Sequence, residues 1–219
     1  MRSWLRNNGL SIAMFLLFAV SLVGQVLAGH RVHNDDQVEH GQPALQLGGY
    51  LRSGHFVESV FENWESEFLQ MAAFVLLTAY LYQKGSPESR KLEGEPDLDK
   101  HPTKSKKKNS PWPVHRGGLA LRLYSHSLSI ALFLLFGVSF LLHAAGGVRE
   151  YNQEQLEHGS EPIGMSSYMA TSRFWFESFQ NWQSEFLSVG VLIVLSVFLR
   201  ERHSPESKPV ADPHHETGR

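Results

Sequence analysis

Residues 61–69 read FENWESEFL, and residues 179–187 read FQNWQSEFL. The shift of 118 positions that carries Phe61 onto Phe179 holds without a gap from 1–89 to 119–207, with about a third of positions identical. Other matching blocks are LSIA-FLLF (Leu10 to Phe18, Leu128 to Phe136), EHG (Glu39 to Gly41, Glu157 to Gly159) and SPES (Ser86 to Ser89, Ser204 to Ser207). A pattern recurring at one fixed spacing marks one structural unit used twice. The internal comparison shows what both halves need, for packing or for chemistry, without separating the two.

The 219 residues are 42% hydrophobic with a net charge of -2, values ordinary for a soluble protein. The average conceals the distribution. Apolar residues gather in four blocks and the charges and prolines lie between them, the pattern of a chain whose solvent is partly lipid. No basic excess or interleaving of aromatic and basic residues points to nucleic acid. The absence of cysteine excludes disulfides, thiolate nucleophiles and cysteine metal sites.

Spans are expected at about 10–28, 56–82, 123–146 and 174–200. The first could also be read as a signal peptide, with Arg2 and Arg6 as its basic start. Its twin lies mid-chain, where no signal peptide can be, so a span is the better reading. Polar, glycine-bearing loops from His30 to His55 and from Val148 to Arg173 join the spans of each half. The expected domains are therefore a hairpin at 1–89, a disordered basic linker at 90–118, a second hairpin at 119–207 and a disordered tail at 208–219.

The repeated segment opens the second helix of each hairpin. At about 100° per residue, Phe61, Trp64 and Phe68 share one side and Asn63, Ser66, Glu67 and Gln70 the other. The copy sets Phe179, Trp182 and Phe186 against Asn181, Ser184, Glu185 and Ser188. Trp64 and Trp182 read as anchors at the membrane boundary. The polar side reads either as hydrogen bonding that fixes the hairpin or as a functional stripe.

Basic residues fix the orientation. Arg2, Arg6, Lys84, the lysines Lys104 to Lys108, Arg116, Arg122, Arg200 and Arg202 flank one side, so both termini and the linker are expected in the cytoplasm. Each half has two spans, so the halves enter the membrane in the same sense as parallel repeats.

Candidates for ion-path or structural roles are Asn63, Ser66, Glu67, Asn181, Ser184 and Glu185. Candidate metal ligands are Glu67, Glu185, His40 and His158, the histidines lying beside Glu39 and Glu157 in the EHG blocks. None has motif-grade spacing, and a histidine beside a glutamate is commonly a surface or helix-capping residue. Haem ligation finds little support, because His126 and His143 face Asn8 and Gln25 in the other copy. No phosphate loop or nucleophile elbow is present, so no enzyme and no catalytic residue is expected.

The LSIA-FLLF, EHG and NW-SEF blocks resemble a bacterial family of small four-span integral membrane proteins of unknown function. The resemblance covers both hairpins, omits the linker and tail, and implies a membrane location without any activity. The expectation is an all-α membrane protein of the bacterial inner membrane: two parallel-repeat transmembrane hairpins forming a four-helix bundle, with no cofactor. Its partners would be the lipid bilayer and a second copy or another membrane protein. A non-enzymatic structural or interaction module is the leading function. The alternative is a cation or proton pathway, or a divalent-metal site, on the paired glutamates.

Overall fold

A computed structural model describes residues 2–89, 100–105 and 107–216. Positions 90–99 and Lys106 of the expected linker, and 217–219 of the tail, lie outside the described residues. Among the described residues the chain is all-helical, with no strand. The helices are α1 (Arg2–Asn7), α2 (Gly9–Glu39), α3 (Leu47–Tyr50), α4 (Gly54–Tyr80), α5 (Trp112–Arg116), α6 (Gly118–Ser125), α7 (Ser127–Glu157), α8 (Met165–Tyr168) and α9 (Ser172–Phe198). A single 3-10 turn at Pro102–Ser105 precedes α5.

Three of these, α2, α7 and α9, are long and apolar enough to cross a membrane. Helix α4 matches α9 in length at 27 residues but carries Glu58, Glu62, Glu65 and Glu67 in its first half. Both α2 and α7 are 31 residues long, so each continues well past its apolar block. The loops expected from His30 and Val148 therefore begin later, after Glu39 and Glu157. The physical reason is local, since HRVHNDDQVE and VREYNQEQLE contain no proline or glycine to break the helix. The EHG blocks supply the stop. Gly41 and Gly159 adopt φ of 73° and 72°, and Gln42 N–H donates to Gln37 C=O at 2.7 Å as Ser160 N–H does to Gln155 C=O at 2.8 Å. With Gly41 N–H to Val38 C=O and Gly159 N–H to Leu156 C=O, both ends are Schellman motifs, which need glycine for the left-handed residue.

The chain divides into two compact units: Met1–Phe61 with Leu141–Phe174, and Glu62–Phe140 with Trp175–Arg219. In the first, Asn34 clamps the loop beyond α2, accepting from Leu45 N–H at 2.8 Å and donating to Leu45 C=O at 3.0 Å. Asn152 does the same to Ile163, at 2.8 and 2.9 Å. Ser53 and Thr171 then cap α4 and α9, accepting from Phe56 N–H and Phe174 N–H. Gly54 and Gly146 let α4 and α7 approach closely: a Cβ on Gly54 would sit 2.5 Å from Glu150 N and 2.8 Å from Gly146 O.

The second unit contains the SPES turns. Ser89 accepts from Gln83 N–H at 2.6 Å and Ser207 from Glu201 N–H at 2.8 Å. These hydroxyls hold the chain in a compact turn just past α4 and α9. In the tail, Lys208 is buried and donates to the carbonyls of Pro213 and His214.

Candidate functional site

The short helices α3 and α8 each deliver one tyrosine to the interior of the first unit. Tyr50 and Tyr168 are almost wholly inaccessible. Each hydroxyl lies against a helix at a glycine, Tyr50 at Gly29 and Tyr168 at Gly147, where any side chain would overlap the ring oxygen. The Tyr168 hydroxyl donates to Glu58 Oε1 at 3.0 Å, and a ring nitrogen of His143 lies within 4.8 Å of a Glu58 carboxylate oxygen. His143 stacks on Phe174 with ring centroids 4.9 Å apart. A buried carboxylate is costly without a donor, and the Tyr168 hydroxyl supplies one to Glu58.

Around Tyr50 the chemistry differs. His30, His33 and His55 have ring centroids 5.5, 5.7 and 5.9 Å from the Tyr50 ring. His33 and His55 lie 5.1 Å apart, and Tyr50 Oη is 3.5 Å from His55 Nδ1. Burial, and then the charge of Glu150, pushes the Tyr50 hydroxyl above its ordinary pKa, so it stays protonated at neutral pH. Burial pushes the Glu150 carboxyl above its ordinary pKa.

The positions singled out in the sequence are distributed differently. His40 and His158 are exposed and turn back on their own helices, their Nδ1 atoms 2.9 and 2.7 Å from the carbonyls of Asp36 and Glu154. His40 is held above its ordinary pKa first by that carbonyl and then by the Asp36 carboxylate. Glu39 and Glu157, beside them, are exposed too. Along the repeated stripe, Ser66 and Gln70 are buried while Asn63 and Glu67 are exposed. In the copy Asn181, Trp182 and Glu185 are half-buried and Ser184 is exposed. Trp64 is half-buried. Trp182 Nε1–H donates at 3.1 Å to Glu65, a fully buried carboxylate on the side of α4 away from the expected stripe.

The sequence reading missed Asn34 with Asn152, Gly29 with Gly147 and Tyr50 with Tyr168. All are identical pairs at the 118-position shift, so that signal was present.

The model of a family described as a domain of unknown function, DUF6766, matches residues 1–219. The chain belongs to the DUF6766 family. No curated protein and no solved structure matches it. For this DUF6766 chain, functional reasoning therefore rests on its own residues. Those nearest to chemistry are the buried tyrosines, histidines and glutamates of the first unit.

Proposed function

We propose that this DUF6766 protein is an integral membrane protein that works by interaction rather than by chemistry. In this reading it sits in a bacterial inner membrane as two parallel hairpins of one duplicated design, packed as a four-helix bundle, with both termini cytoplasmic. The observation that supports it most is α2. Its best 18-residue window has a mean hydropathy of 2.3, and none of that window is buried against the rest of the chain. Phe15, Leu17 and Val20 are 72%, 63% and 71% exposed. A helix apolar all round and bare all round meets lipid, and it is free to meet another membrane segment.

The chain has no cysteine, which makes the test direct. Single cysteines at Leu17 and Val20 are oxidised in native membranes. Position-dependent cross-linking, to a second copy or to another membrane protein, supports the interaction reading. Uniform reactivity toward a lipid-soluble reagent with no adduct at either position overturns it.

A second reading places a cation or proton path, or a divalent-metal site, on Glu67 and Glu185, carboxylates at the same position of the two copies. Glu67→Gln with Glu185→Gln would then abolish cation flux into liposomes. Flux unchanged by the double substitution removes that reading.

A further inference from the structure

The second unit holds a groove of about 320 Å³ along the last turns of α4. Phe74, Leu77 and Leu81 line it at spacings of three and four residues, which puts them on one side, and Val189, Gly190 and Ile193 share the facing side of α9. Thr78 also borders it, but its hydroxyl donates to the Phe74 carbonyl of its own helix at 2.9 Å. Gly190 leaves room, because nothing lies within 4 Å of where its Cβ would be. The same position of the first copy is Ala72, which is fully buried, so the gap is particular to α9.

The walls are apolar and one end is not. Beyond Leu81 the lining becomes Tyr82, Gln83, Ser86 and Glu88, where the SPES turn brings Ser86 Oγ within 3.5 Å of Ser196 Oγ on α9. From Gln70, buried and lining the other end, to the last residue of α4 at Tyr80 is roughly 15 Å of helix. The hydrocarbon of a bilayer is about 30 Å thick, so the groove runs the depth of one leaflet. No residue from Phe68 to Gln83 or from Phe186 to Leu199 carries a charge, and Lys84 and Arg200 follow at the level where headgroups begin.

We propose that this groove holds one acyl chain of a phospholipid from the cytoplasmic leaflet, with its headgroup at the polar turn. The inference rests on the membrane reading above. A helix does not fit: a cylinder about 15 Å long and 10 Å wide takes roughly 1,200 Å³, several times the volume of the groove. Water finds too few polar partners along these walls. A hydrocarbon chain gains no hydrophobic energy by leaving the bilayer, but an empty slot forfeits the dispersion contacts of its lining, and a chain restores them. The polar turn gives the bound lipid its level and direction.

The test reconstitutes the intact chain in vesicles of phosphatidylethanolamine and phosphatidylglycerol, some of the lipid carrying a diazirine in one acyl chain. The protein is then extracted in mild detergent and washed to remove loosely held lipid. Native mass spectrometry should find one phospholipid per chain in the wild type and in Gly137→Leu, whose Cβ position is also open. Gly190→Leu fills the groove and should keep roughly tenfold less. Photoactivation after the wash should mark peptides 74–81 and 189–193 of the wild type, a readout that needs no variant. Absence of a stoichiometric lipid in the wild type overturns the proposal, as does label spread over α2 or a folded Gly190→Leu that keeps as much lipid as the wild type. A lipid-free wild type that is dimeric, with Gly190→Leu monomeric, overturns it in favour of a second copy of the chain. Release of the protein from membranes by alkali removes the membrane reading itself, whereas a chain that stays in the membrane without bound lipid removes this proposal alone.

Discussion

Replacing Gly54 by alanine tests the closest packing in the first unit. The new Cβ would meet Glu150 N at 2.5 Å and Gly146 O at 2.8 Å, both backbone atoms that no rotamer can move. To restore ordinary contact, the separation from Glu150 N must grow from 2.5 Å to at least 3.4 Å, which forces α4 and α7 apart at this point. Overpacking of this kind costs about 1–3 kcal/mol, offset by up to about 1 kcal/mol of helix propensity gained over glycine. A net loss of about 1–2 kcal/mol corresponds to roughly 2–8 °C in Tm for a chain of this size. Gly24→Ala is the control, because nothing lies within 4 Å of its Cβ position. Thermal unfolding in detergent, followed by circular dichroism, should show Gly54→Ala melting lower and Gly24→Ala melting no lower than the wild type. Equal melting of the two variants would refute the close approach of α4 and α7.

Tyr168→Phe removes the donor to buried Glu58 and should cost about 1–3 kcal/mol, whereas Tyr124→Phe, at an exposed ring, should cost almost nothing; chemical denaturation compares them. Asn34→Ala and Asn152→Ala each lose two hydrogen bonds to one loop residue, and each should speed proteolysis within its own loop about tenfold, equivalent to about 1.4 kcal/mol. Gly41→Ala and Gly159→Ala force a left-handed residue to carry a Cβ and should each lose about 1–2 kcal/mol by the same denaturation assay. The His40 imidazole should titrate above the ordinary histidine value by NMR, and Asp36→Asn should lower it. Because its folded value is the raised one, any stability His40 brings is present at acidic pH and is lost as pH rises through that folded value.

Much of the helical layout was legible because it depends on features both halves share. The fixed shift of 118 carries α2 onto α7, α3 onto α8 and α4 onto α9 with matching lengths. The ends of α2 and α7 were misplaced because polarity was read as loop; a polar helix running past the apolar block looks the same in composition. The EHG block attracted metal-site reasoning, yet its glycine ends a helix and its histidine bonds the preceding turn. Periodicity sets Ser66, Glu67 and Gln70 on one side of α4 but carries no information on which neighbours cover that side, and Glu65, off that side, is the buried carboxylate. His33, His55 and Glu150 were invisible for the opposite reason. They occupy positions where the copies differ, as Tyr151, Arg173 and Val32 show, so comparing the halves filtered them out.

The central claim is that the chain leaves α2 on the outer side of a membrane and enters α7 from the cytoplasmic side. Reporters fused in the loop at Gly48 and in the linker at Lys107 test it most directly, with the membrane fraction washed in alkali before readout. The account predicts that both fusions stay with the membrane, Gly48 reporting the outer side and Lys107 the cytoplasm. Reporters on the same side, or fusions released by alkali, would contradict it.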